Sequence, residues 1–165
     1  MAKLDIIQQS RVFQGLNSQQ LQKIVSISQE ETYATGRAIF KEGEPAQNFY
    51  ILEEGKAILE MRLAPVREHS PSPLATIVVI VKGETFGWSA LVEPHIFTLS
   101  ATTADKSKVI AVDGGKLREL MDADPVMGYQ VMAGLSQVIA SRLSHTRQML
   151  LSERGLALLS QIYSY

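Results

Sequence analysis

Between residues 30 and 113 the chain is cut into short β-rich runs by turn residues at nearly regular intervals, and this rhythm constrains the fold most. The runs Glu30–Ala34, Ala38–Phe40, Asn48–Glu53, Lys56–Leu63, Ala75–Val81, Phe97–Ala104 and Lys108–Asp113 read as strands. Their separators are Thr35-Gly36, Glu42-Gly43-Glu44-Pro45, Glu54-Gly55, the proline-containing loop Ala64–Pro73 and Lys82-Gly83-Glu84. The Ser-Pro-Ser-Pro stretch at 70–73 fits a surface loop. Short strands at this spacing predict an antiparallel sandwich or barrel.

Both flanks change to a helical period. Across residues 4–28, Leu16, Leu21, Ile24 and Val25 recur at helical spacing, and Asn17-Ser18 stand where a helix cap belongs. After Asp113 the helical pattern runs to the end. Gly115–Met121 reads as a short helix, and Asp124 caps a long one whose first residue is Pro125. No proline follows up to about Ser152, which predicts about 40 Å of helix at 1.5 Å per residue. Met132, Leu135, Ile139, Leu143 and Leu150 form an apolar stripe that also contains Thr146. A helix outrunning a small barrel needs a partner, most simply the same helix of a second subunit, although packing on its own barrel is the alternative. Glu153–Tyr165 is expected to form one more short helix. The resulting division is a barrel with N-terminal helices over 1–122 and a dimerisation helix with its tail over 123–165.

Composition removes several function classes. The net charge of −1 gives no basic face for nucleic acid and no polybasic attraction to anionic membranes. With no cysteine there is no disulfide, thiol nucleophile or thiolate metal site. Met1–Ser10 is not patterned as a signal peptide, and the run Ala75–Val81 is too short to span a bilayer, so a cytoplasmic protein is expected. His69, His95 and His145 stand apart from one another, without the spacing of a metal site. The Gly-x-Ser-x-Gly elbow, the phosphate loop and the His-Glu-x-x-His motif are all missing, so no catalytic residue and no metal is expected.

An ordered set of short motifs resembles the cyclic-nucleotide-binding domain family, the sensor module of catabolite activator proteins and of cyclic-nucleotide-regulated kinases and channels. The set covers about residues 11–150. It comprises Phe13-Gln-Gly-Leu16 with Leu21 and Ile24; then Gly36, Ile39-Phe40, Glu42-Gly43-Glu44, Tyr50-Ile51-Leu52 and Gly55; then Gly83, Phe86-Gly87 and Ala90-Leu91. The resemblance implies an α+β fold: an antiparallel β-barrel or jelly roll (a double-stranded β-helix) with N-terminal helices and a long C-terminal helix. It also implies a phosphate-binding cassette. There a short helix after a glycine points its N–H groups at a cyclic phosphate, an arginine on the following strand neutralises it, and a glutamate near the helix start holds the ribose.

Carried onto this chain, the cassette is incomplete. Phe86, Gly87, Ser89, Ala90 and Leu91 fit the backbone cradle. Trp88 holds the glutamate position, and His95 falls near the arginine position if Phe97–Ala101 with Thr98 sets the strand register. Thr146 matches a polar base-contacting position on the long helix, and Arg147 follows it. Losing a charge-assisted phosphate contact costs roughly 2–4 kcal/mol, and His95 would replace only part of it. The leading expectation is a regulatory sensor for a ligand other than cAMP or cGMP, planar or cationic enough to use Trp88. The alternatives are a cAMP- or cGMP-binding regulator, a pocket filled by Trp88 in a protein-interaction module, and haem ligation by His95. No cofactor is expected beyond such a small-molecule or nucleotide-like ligand. Only about fifteen residues follow residue 150, with Arg154 their one basic residue, so no helix-turn-helix and no direct DNA binding are expected.

Overall fold

The computed structural model describes residues 3–63 and 72–162, with 153–162 as backbone alone. Most of the loop at 64–73, His69 within it, and the side chains of the tail lie outside the described residues. Two antiparallel four-stranded sheets form the barrel, in the orders β1-β8-β3-β6 and β2-β7-β4-β5. Their strands are β1 (Ser28–Tyr33), β2 (Ala38–Phe40), β3 (Asn48–Glu54), β4 (Ala57–Arg62), β5 (Leu74–Ile80), β6 (Thr85–Phe86), β7 (Ser100–Thr103) and β8 (Ser107–Asp113). The helices are α1 (Lys3–Gln9), α2 (Ser18–Ser26), α3 (Gly114–Ala123) and α4 (Pro125–Ile162), with 3₁₀ turns at Arg11–Phe13 and Trp88–Leu91. Among these, no helix is long and apolar enough to cross a membrane. The jelly-roll architecture expected from the sequence is the one observed.

The helix starts follow the capping chemistry. Asn17 Oδ1 accepts from Gln20 N–H at 2.9 Å while Gln20 Oε1 accepts from Asn17 N–H at 3.0 Å, a reciprocal box that starts α2. Asp124 Oδ1 accepts from Met127 N–H at 3.1 Å, and its other oxygen accepts from Gln20 Nε2 at 2.8 Å. One carboxylate therefore caps α4 and ties it to α2.

Strand β3 runs through the middle and is buried from Phe49 to Glu53 because both of its faces are covered. On its outer face Phe49 meets Phe13 edge to face, with centroids 5.9 Å apart. On the inner face Tyr50 stacks on Phe86 at 5.2 Å. Buried Glu53 is held by Lys108, whose Nζ lies 3.1 Å from a Glu53 oxygen and 3.1 Å from Glu30.

Three expectations are corrected, and one strand is added. The strand read at Phe97–Ala104 begins at Ser100, because residues 95–97 pair instead with the turn before β3. Gly43 N–H donates to Phe97 O at 2.8 Å, Phe97 N–H to Glu44 O at 3.0 Å and Ala46 N–H to His95 O at 2.7 Å. Strand β6 is too short to leave a periodic signal. The separate tail helix does not form, since α4 continues to Ile162 without a proline or cap to stop it. Leu135 does not face outward with the rest of the stripe. It is 1% exposed, in a row with buried Met127 and Val131, and these three belong to the barrel's own core. Spacings of three and four fit two neighbouring rows of one helix, and periodicity placed Leu135 in the wrong one. Gly134 lets that row close on the 3₁₀ turn: a Cβ there would lie 2.6 Å from Arg11 O and 2.8 Å from Val12 O.

Candidate functional site

The cassette begins where β6 ends. Gly87 has φ 74°, in the left-handed region, and a Cβ there would lie 3.0 Å from Tyr50 and 3.2 Å from Asn48 O. Glycine thus serves both the turn and a close backbone approach. The turn Trp88–Leu91 follows, with Ala90 and Leu91 buried beneath it. The cavity in front of it is lined by Phe40, Leu59 and Gly87–Ser89 on one side and Phe97–Leu99 on the other, and it holds about 30 Å³. That is room for water, an order of magnitude below the roughly 300–1,000 Å³ of ordinary ligand sites.

Aromatic rings close it. Phe40 and Phe97 stack with centroids 3.7 Å apart and planes 11° from parallel. Phe40 also stacks on Tyr50 at 5.6 Å and on Phe86 at 6.0 Å. Burial raises the Tyr50 hydroxyl's pKa, keeping that ring neutral. The strand after the cassette, β7, reads Ser-Ala-Thr-Thr and carries no arginine.

Of the residues singled out in the sequence, Gly87, Trp88, Ser89 and Thr98 line the cavity, Phe86 joins the stack, and Ala90 and Leu91 support the turn. His95 lies off the strand, at φ 57°, with Nδ1 3.3 Å from Ser89 O. It ties its loop to the turn and does not line the cavity. Thr146 is half-buried and Arg147 exposed, and neither lines the cavity. Among the described residues no three histidine, aspartate or glutamate side chains converge as a metal site.

The sequence reading missed Arg142. From α4 its guanidinium carbon sits 4.9 Å from the Trp88 ring centroid, and Nη2 donates to Thr85 O at 2.5 Å. Burial pulls the Arg142 pKa down, with Glu84 opposing that shift. A signal was present: Arg142 is the first charged residue of α4 and stands one turn before Thr146 in the same row. From the other side Arg118 of α3 donates to Ala90 O. Two arginines on two helices therefore grip the cassette turn.

The chain matches the family model described as the cyclic nucleotide-binding domain over residues 30–124. It is 25% identical over 142 residues to a CRP-like cAMP-activated global transcriptional regulator of Mycobacterium tuberculosis, covering 86% of this chain and 59% of that protein. The chain thus spans little more than half of that relative. A solved cyclic nucleotide-binding protein from Geobacter metallireducens superposes with a TM-score of 0.74 at 29% identity, covering 87% of this chain and 99% of the other. The catabolite activator protein of Thermus thermophilus gives 0.66 at 24% identity, over 92% of this chain and 63% of that one, a likeness of fold.

Proposed function

The chain belongs to the cyclic nucleotide-binding domain family, and from that premise we propose that it is a small-molecule-sensing regulatory module whose ligand is neither cAMP nor cGMP. One observation carries the exclusion of cAMP and cGMP: the cavity in front of the cassette holds about 30 Å³, behind stacked Phe40 and Phe97, so any ligand there must first move these rings or Trp88. A cyclic nucleotide would have to displace that stack and then meet no arginine on β7 and Trp88 in place of a carboxylate. Two of the relatives named above, the Mycobacterium tuberculosis and Thermus thermophilus proteins, are a regulator and an activator by description, which supports regulation over catalysis.

Arg142 supplies the coupling. It joins α4 to both Thr85 and Trp88, so a ligand that prefers one placement of the Trp88 ring shifts α4, and only by its difference in affinity between the two placements. The shift would be read by a second subunit. Met132, Ile139, Leu143 and Leu150 remain 37–51% exposed along α4, an apolar face suited to the same helix of a homodimer. A ligand-free interaction module is the second reading, favoured by how completely the rings fill the cassette.

Trp88 is the only tryptophan, so titration followed by its fluorescence tests the reading directly. No saturable change is expected with cAMP or cGMP, and a saturable one with another planar or cationic metabolite. A micromolar response to either cyclic nucleotide would overturn the proposal. Silence across the whole panel would favour the interaction module.

A further inference from the structure

A second cleft reaches Arg142 without touching Trp88. It holds about 400 Å³ and is bordered by Gln9, Arg11, Lys82, Thr85, Ser141 and Arg142, together with Glu84. This size lies within the ordinary range for small-molecule sites. Its rim is fixed by β3: Gly83 N–H donates to Leu52 O at 2.8 Å and Leu52 N–H to Glu84 O at 2.9 Å.

The charge in the cleft is unbalanced. Arg11, Lys82 and Arg142 bring three cations against the single carboxylate of Glu84. None of the three forms a salt bridge among the described residues. Glu84 is turned back on its own loop, where Oε2 accepts from Val81 N–H at 2.9 Å. Just behind the cleft wall, on residues that line it, Arg142 Nη1 and Thr85 Oγ1 are both buried without a hydrogen-bond partner, Thr85 being 3% exposed, so a small turn of either side chain would present them to the cleft. The Arg142 guanidinium hydrogen-bonds a single carbonyl, lies over a ring face and has only the Coulombic pull of Glu84 against its burial, so an anion is the partner that would compensate it further.

We propose that this cleft binds a small phosphate ester, with Arg142 Nη1 and Thr85 Oγ1 as its inner donors and Arg11 and Lys82 at its mouth. The excess of two positive charges matches the −1.5 to −2 of a phosphate monoester near neutral pH. A guanidinium, a hydroxyl and an ammonium also suit an anion with three terminal oxygens better than a single carboxylate. The remaining volume accommodates a small organic body. Because the anion competes with Trp88 for the same guanidinium, binding loosens the contact between α4 and the cassette. This goes beyond the preceding reading, since the cleft is separate from the cassette cavity and does not depend on what that cavity binds.

Calorimetric titration of the full chain with glycerol 3-phosphate, at constant ionic strength and with chloride as control, tests the site without relying on Trp88. Saturable binding is expected, accompanied by a change in Trp88 fluorescence. Lys82→Gln and Arg142→Gln should each weaken it about tenfold or more, while Lys116→Gln, outside the cleft, should leave it unchanged. Lys82 is exposed, so its variant keeps the test meaningful if Arg142→Gln fails to fold. The absence of saturable binding at millimolar concentration, or binding indifferent to Lys82→Gln, would overturn the proposal.

Discussion

The guanidinium of Arg142 lies 4.9 Å over the Trp88 ring while donating to the Thr85 carbonyl, so one side chain fastens the longest helix to the entrance of the cassette. If this is a cation–π contact and not mere proximity, Arg142 and Trp88 should be energetically coupled. A double-mutant cycle with Arg142→Met and Trp88→Leu, read by urea unfolding, should give a coupling of roughly 0.5–2 kcal/mol. A coupling near zero would mean that the two groups are simply adjacent.

The aromatic stack should matter more to stability than to any polar chemistry. Phe97 is 4% exposed and lies 3.7 Å from Phe40, so Phe97→Ala removes one half of the plug. A loss of about 3–5 kcal/mol is expected from chemical denaturation. The enlarged cavity should still bind cAMP poorly, because no arginine on β7 awaits the phosphate. Calorimetry on that variant, should it remain folded, separates a blocked nucleotide site from an absent one.

Close approach at Gly134 fixes the angle at which α4 leaves the barrel. The Cβ of Gly134→Ala would meet Arg11 O at 2.6 Å and Val12 O at 2.8 Å, both backbone atoms that cannot swing aside. The helix must therefore move. A cost of about 1–3 kcal/mol is expected, lowering the melting temperature by about 2–4 °C for each kcal/mol. An unchanged melting temperature would show that the 3₁₀ turn yields easily.

Elements with strong local chemistry were legible before the structure. Asn17 and Asp124 announce helix starts by their side-chain oxygens, and Pro125 is the first residue of α4 as its fixed φ suggests. Strands bounded by glycine turns were found to within a residue or two. What periodicity could not supply was the tertiary choice. The residues Phe97–Leu99 have strand composition, but Phe97, like the His95 carbonyl before it, is hydrogen-bonded to residues 43–46 instead. Leu135 and Leu143 share a helical spacing, yet one is buried in the barrel and the other is 51% exposed. Trp88 could be placed in the cassette from its neighbours in sequence. Arg142 comes from 54 positions further along the chain, and only folding brings the two together.

Acid should weaken the junction between α2 and α4. Asp124 has its pKa lowered by the Gln20 hydrogen bond first and then by Met127 N–H. A carboxylate with a depressed folded pKa stabilises the protein above its unfolded value near 3.8 and loses that contribution as pH falls through the lower folded value. In Asp124→Asn the amide oxygen still caps α4 but cannot ionise. Its melting temperature should fall less steeply than that of the parent between about pH 4 and pH 2, and equal slopes would assign the acid sensitivity elsewhere.

The outward face of α4 gives the most direct test of assembly. Ile139 and Leu143 are a helical turn apart and 37% and 51% exposed, whereas Leu135 beside them is buried in its own subunit. Burying Leu143 at a helix–helix seam is worth about 1.5–3 kcal/mol per side chain, and a twofold interface contains it twice. Leu143→Asp should therefore convert a dimer to monomers in sedimentation velocity at micromolar concentration while leaving the far-ultraviolet circular dichroism unchanged. Leu135→Asp should instead unfold the barrel, because its carboxylate would enter the core without a partner. If Leu143→Asp sediments as the parent does, the exposed stripe is not the subunit interface, and the position of α4 must be read by something other than a second copy.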